Sequence, residues 1–290
     1  YTCIVRVFFA AEINCGNKAF PQYLYPAAPP ESACADIRIT GEIVEGDYDR
    51  FRSILKRSEP YALSVTVLSP GGDLYEGIKI GSLIRQRLLS TTTASVIDGT
   101  NVLFSSDSRD ISCVGDTCIC ASTCFVIWVA GIQRLGNALI LHRPRDDSGG
   151  FGKKRAESAR IEYQNVLDEI SAYLLAMEVP DKYFEIMKSI PSADYFEVPP
   201  DDVDRDLSGF IPTMQEWLAA DCGAMTAVDS AGIRYCIKQY WIKSEQERAA
   251  AGDRLKSACE ATGNKQRQVG TCYLEKLVLE RARLAREVPL

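Results

Sequence analysis

At 290 residues, with 46% hydrophobic and 25% charged side chains, the chain can bury the core of one large domain or two medium ones. A formal net charge of -6, with no basic cluster interleaved with aromatic residues, argues against a nucleic-acid partner. No apolar run is long enough to span a bilayer.

Residues 1–36, with prolines at 21, 26, 29 and 30, read as an irregular N-terminal extension tied down by Cys3, Cys15 or Cys34. Ile4 to Ala11 is short and interrupted by Arg6, so no signal peptide is visible, and a chain starting at Tyr1 reads as a mature or trimmed form. Leu63 to Leu68 is apolar and β-branched, a buried strand stopped by Ser69, Pro70, Gly71 and Gly72. The two glycines permit a turn that side chains would crowd, and they leave backbone N–H groups free to face an oxygen. Leu74, Ile78, Gly81, Ile84 and Leu88 then recur at helical spacing, so the turn opens a helix over 74–89. A developing oxyanion suits that junction; a plain strand-turn-helix connection is the alternative. The polar stretch from Leu89 to Cys113 reads as a lid or hairpin near a site, or as an inert surface insertion.

Eleven cysteines are many for a reduced hydrolase and indicate an oxidising compartment; their odd number leaves at least one without an internal partner. Cys113, Cys118, Cys120 and Cys124 flank Ser122, where one or two bridges would pin the serine backbone. Their C-x4-C-x-C-x3-C spacing lacks paired C-x-x-C motifs and a second histidine, so zinc is the weaker reading, and Cys120 or Cys124 as a thiol nucleophile is a further alternative. Ser122 follows Ala121 and precedes an apolar helix from Phe125 to Ala130, as a helix cap does; an activated nucleophile occupies the same kind of position. His142, the only histidine, ends the strand Ala138 to Leu141, where an imidazole can serve as a base or be an ordinary packed residue. Ser148 to Gly152 reads as a mobile loop, Lys153 and Lys154 as a solvated pair, and Arg155 to Met177 as one long amphipathic helix ended by Pro180.

Residues 213–290 form a different unit, a small helical domain with helices from Trp241 to Ala258 and from Tyr273 to Arg286. Domains with little core need staples, and the shortest closures pair Cys222 with Cys236 and Cys259 with Cys272; Cys236 with Cys259 is the runner-up. The unit resembles the cysteine-paired helical repeats of some bacterial envelope proteins, which implies a binding, spacing or merely structural role.

Four motifs run in order through the middle of the chain: I-x-G-E-I at Ile39–Ile43, S-P-G-G-x-x-x-E-G-x-x-I-G at Ser69–Gly81, A-S-x-C-x-x-I-x-x-A-G-x-x-R at Ala121–Arg134, and L-H-R-P at Leu141–Pro144. Together they resemble the Clp protease proteolytic subunit family of the Clp/crotonase superfamily, most closely its secreted or periplasmic bacterial members, over about Ile37 to Ile211. The resemblance implies an α/β domain at 37–212 built as a superhelix of repeated strand-strand-helix turns. It makes Ser122 the nucleophile of a serine peptidase or related hydrolase and His142 the base, with the amides of Gly71, Gly72 and Thr123 forming the oxyanion hole. The third triad member falls in Pro191–Phe196, where Asp194 is the candidate and Tyr195 competes for the place; Asp146, Asp147, Asp201 and Asp202 are alternatives. Relatives of this fold with a lysine base bring in Lys153 and Lys154, which lie outside any matched motif. The family's glycine-rich strand and long helix join subunits, which implies a homo-oligomer. No cofactor and no metal are implied, and the partner is a peptide or protein substrate. A non-catalytic binding protein on the same fold is the rival reading. A crotonase-type acyl-CoA enzyme is third, weakened by the lack of a basic patch for nucleotide phosphates.

Overall fold

The computed structural model describes residues 11–15, 33–97, 99–104, 111–115, 118–145, 150–224 and 252–290. The chain divides into two compact units, Tyr1–Ile211 with Arg281–Leu290, and Pro212–Glu280. The larger is a mixed α/β structure. Its main sheet is built from β1 (Glu12–Cys15), β2 (Asp36–Thr40), β3 (Ser64–Leu68), β4 (Ser90–Thr92), β8 (Gln133–Leu135) and β11 (Gly209–Phe210), in the order β1-β2-β3-β4-β8-β11. The four central strands are parallel and the two edges antiparallel. β3 is buried at every position, as a strand covered on both faces must be, which accounts for its unbroken Ser-Val-Thr-Val-Leu run. The segment before Asp36 is not wholly irregular: β1 pairs with β2 along its full length, and the Cys15–Cys34 disulfide fastens it there.

The parallel strands are joined by α1 (Asp47–Ser58) and α2 (Leu74–Gln86), and the sheet continues to β8 through α3 (Thr123–Trp128). Beyond the main sheet runs a second, shorter ladder of parallel bridges, Ile43 with Gly72, Ser69 with Cys120, and Ala121 with Ile140. It is extended by β9 (Ile140–Leu141) and its antiparallel partner β10 (Phe196–Glu197). A main-sheet strand, a short second stretch and then a helix therefore recur along the chain.

The polar stretch after β4 folds into a separate three-stranded meander of β5 (Ser95–Ile97), β6 (Thr100–Phe104) and β7 (Ile111–Val114), anchored by Cys113–Cys118. α4 (Ala156–Ala176) packs against α5 (Asp181–Ser189), and α6 (Pro200–Asp206) leads into β11. Arg134 of β8 is almost wholly buried and donates to the carbonyls of Met177 and Leu207; burial, then the neighbouring guanidinium of Arg85, push its pKa down to about 9, which leaves it cationic at neutral pH. The last ten residues of the chain belong to this larger unit: Arg281 donates to the carbonyls of Leu88 and Leu63, and Arg87 to that of Val288.

The second unit is helical, with α7 (Pro212–Cys222) and the first part of α8 (Gly252–Glu287). α8 is one continuous rod where two helices were expected, and this overturns the expected cysteine pairing. Cys259 and Cys272 stand thirteen residues apart on it, about 20 Å along the axis, far beyond the reach of a disulfide. Cys272 instead bonds Cys222 at the end of α7, with the Cα atoms 5.7 Å apart. Cys259 is disulfide-bonded as well, while Cys236 and the start of the expected Trp241–Ala258 helix lie outside the described residues.

Candidate active site

The candidate site lies where the strands of the main sheet end and the short ladder begins. β3 runs into Ser69, whose buried hydroxyl holds the turn that follows: the Gly71 N–H donates to Ser69 Oγ at 3.0 Å. Gly71 and Gly72 have φ of 111° and 128°, which side chains rarely adopt. A Cβ on Gly71 would sit 2.7 Å from Ser122 Cβ, and one on Gly72 would sit 2.1 Å from the Ile43 carbonyl oxygen. The Gly71 carbonyl accepts from Ile43 N–H at 2.7 Å. Across a trans peptide the N–H points opposite to the C=O, so the Gly72 amide faces away from Ile43, to the flank where the chain runs past Cys120. That amide has no backbone acceptor among the described residues. Of the two glycine amides named from sequence, Gly71 is thus occupied by Ser69 and Gly72 is open.

Ser122 occupies the residue before α3 with φ 56° and ψ -119°. A residue with a side chain held there costs on the order of 1–3 kcal/mol and persists only where its surroundings impose it. Capping does not account for the position, because the Ser122 side chain makes no cap hydrogen bond. The turn is held from outside: Ser122 N–H donates to Ile140 O at 3.1 Å, Ile140 N–H to Cys120 O at 2.9 Å, and Ala121 N–H to Ser69 O at 3.0 Å. Thr123 Oγ1 donates to the Gly72 carbonyl at 2.8 Å, lashing the start of α3 to the glycine turn, while the Thr123 N–H has no backbone acceptor among the described residues. The Cys120–Cys124 disulfide closes over the serine.

His142 follows β9 and is half-buried. Its Nδ1 lies 2.9 Å from the carbonyl oxygen of Arg143, and since a carbonyl only accepts, Nδ1 is the donor there, so that in the neutral ring Nε2 is the nitrogen with the lone pair. Ser122 and His142 therefore stand on adjoining stretches, tied by the Ala121–Ile140 bridge, but no Ser122–His142 hydrogen bond forms among the described residues. The β9–β10 register sets Phe196 opposite Leu141, so the next pair outward is Tyr195 and His142, with Asp194 one residue further. Asp194 is exposed and makes no hydrogen bond to the imidazole among the described residues. Asp146 and Asp147 lie outside the described residues. Asp202 is engaged by Arg205, Asp201 is exposed on α6, and Lys154 pairs with Glu162.

A cavity of about 510 Å³ is bordered by Ile186, Ile190, Pro191, Ala193, Tyr195 and Phe196, with Asp194 on its rim. Neither Ser122 nor His142 lines it. Cys113, Cys118, Cys120 and Cys124 are all consumed in disulfides, which removes the thiolates that zinc or a thiol nucleophile would need. No group of three or more histidine, cysteine or acidic side chains able to hold a metal occurs among the described residues. Sequence reasoning missed the hydroxyls of Ser69 and Thr123. Each reads as an ordinary turn or cap residue until its partner across the fold is known.

Neither a family model nor a curated protein matches the chain. Disulfides between Cys15 and Cys34, Cys113 and Cys118, Cys120 and Cys124, and Cys222 and Cys272 fit an oxidising compartment, and no helix among the described residues is long and apolar enough to cross a membrane.

Proposed function

We propose that the protein is a serine hydrolase of Clp/crotonase type, a peptidase acting by acyl-enzyme chemistry in the bacterial periplasm or outside the cell. The observation that carries this reading is the strained Ser122, held at φ 56° against the glycine turn, beside amides at Gly72 and Thr123 that have no backbone acceptor among the described residues. Strain of that kind points to a functional position. Ser122 Oγ attacks the acyl carbon, His142 Nε2 takes the proton and returns it to the leaving group, and the two amides receive the charge on the oxygen. The Arg143 carbonyl accepts from His142 Nδ1 in the resting chain; Asp194, on the stretch leading into β10, is the acid that would stabilise the imidazolium. Support for the superfamily comes from the repeated strand, short strand and helix, with the glycine turn, the serine and the histidine on successive rungs of the second ladder.

A binding protein on the same fold is the competing reading, favoured by the lack of a Ser122–His142 hydrogen bond in the resting structure. Covalent labelling with a fluorophosphonate, compared between the wild type and Ser122→Ala, separates them. Labelling that maps to Ser122 and disappears in the variant supports the hydrolase; a wild type that stays unlabelled overturns it in favour of the binding protein.

A further inference from the structure

We infer that the Cys120–Cys124 disulfide is a positioning element for the nucleophile, imposing the backbone conformation that presents Ser122 to the Gly72 and Thr123 amides. This deepens the hydrolase reading and rests on it. The bridge spans a sequence separation of 4, with its Cα atoms 5.1 Å apart, and encloses only Ala121, Ser122 and Thr123. Ser122 is the middle residue of that ring and has the positive φ.

Global stability is a poor explanation for so short a closure. The restriction a disulfide places on the unfolded chain grows with the logarithm of the loop it closes, and three others among the described residues have separations of 19, 5 and 50. This bridge is the shortest of these, so its main consequence is local geometry. The turn needs such a constraint. α3 has six residues, too few to hold itself by propagation, and Ser122 contributes no cap bond. Backbone hydrogen bonds fix Ala121 to Ser69, and Cys120 and Ser122 to Ile140. On the helix side Cys124 N–H donates to Ala121 O at 3.0 Å and Phe125 N–H to Ser122 O at 2.9 Å, Thr123 Oγ1 ties the turn to the Gly72 carbonyl, and the disulfide closes it covalently. Both half-cystines are fully buried, so the bridge is packed as well as closed.

The test compares three full-length proteins prepared under oxidising conditions: wild type, the double variant Cys120→Ala/Cys124→Ala, and Cys222→Ala/Cys272→Ala as a control lacking a different disulfide. Two quantities are read well below the unfolding temperature: the rate of fluorophosphonate labelling, and amide hydrogen exchange over residues 119–128. The expected result is labelling slowed on the order of a hundredfold in the first variant, with exchange over 119–128 about tenfold faster and the unfolding midpoint of the larger unit nearly unchanged. The control labels at the wild-type rate. Labelling and exchange that both match the wild type overturn the inference, as does a loss that merely tracks global unfolding. If the wild type itself fails to label, the hydrolase reading falls, and the exchange data alone then decide whether the disulfide holds the turn. Should the double variant not fold, stepwise reduction of the wild type by a dithiol, with opened cysteines counted by alkylation and mass spectrometry, gives the same comparison.

Discussion

Thr123 Oγ1 donates to the Gly72 carbonyl at 2.8 Å, and this one bond joins the residues whose amides are both open at the candidate site. The glycine turn comes from the end of β3 and the threonine from the start of α3, 51 positions apart in sequence. A hydroxyl that locks the two together keeps the spacing of these two amides constant, which is what electrostatic preorganisation would require of them as the proposed oxyanion donors.

Thr123→Val keeps the shape and the backbone amide but removes that bond. Labelling by a fluorophosphonate is expected to slow about tenfold, a loss equivalent to roughly 1.4 kcal/mol of transition-state stabilisation. The part-buried bond to the Gly72 carbonyl is lost, so stability should fall by about 1 kcal/mol or less in urea denaturation. An unchanged labelling rate would show that the spacing is set elsewhere.

Replacing Ser122 tests the strain at φ 56°. Ser122→Ala and Ser122→Gly should both lose labelling completely, but glycine adopts this backbone freely and alanine does not. The glycine variant should therefore be more stable than the alanine variant by about 1 kcal/mol. Equal unfolding free energies would contradict the backbone assignment.

The roles of His142 and Asp194 separate by magnitude. His142→Gln removes the proposed acceptor of the serine proton, and labelling should drop by at least about a hundredfold. Asp194 is exposed and makes no bond to the ring among the described residues, so Asp194→Asn should slow labelling less than about tenfold. A loss as large as that of the histidine variant would place the carboxylate on the imidazole during reaction.

Asp206 gives a pH dependence unconnected with the site. Lys182, then Arg205, with Tyr183 as a further donor, hold its carboxyl down to about 2. A depressed acid stabilises the fold above its unfolded value and ceases to do so as it protonates, so this contribution is whole above about pH 4 and is lost between about 4 and 2. Lys182 and Arg205 are well exposed, so water screens the cluster and limits its worth to about 1 kcal/mol or less. Acid titrations of urea stability should show a shallower fall over that window in Asp206→Asn than in the wild type.

Much of the frame around the candidate site could be read from local pattern. The apolar β-branched run before Ser69 became β3, the paired glycines took positive φ, the helical spacing after them became α2, and the long amphipathic stretch became α4. Each of these is decided within a few residues by backbone sterics and by alternation between buried and exposed faces, so the linear order of side chains carries the answer. Contacts between distant segments were decided only by the tertiary structure. Whether Gly71 or Gly72 offers its amide depends on Ser69 and on Ile43 across the ladder. Which residue faces His142 depends on the register of β10, where a shift of one position exchanges Asp194 for Tyr195. Cys272 meets Cys222 because α8 runs unbroken and carries Cys259 away, while β1 finds an edge of the sheet that no local signal in residues 1–36 announces. Local propensity determines the pieces of this chain, and the hydrogen bonds and disulfides that make a site of them form only between pieces that packing has already brought together.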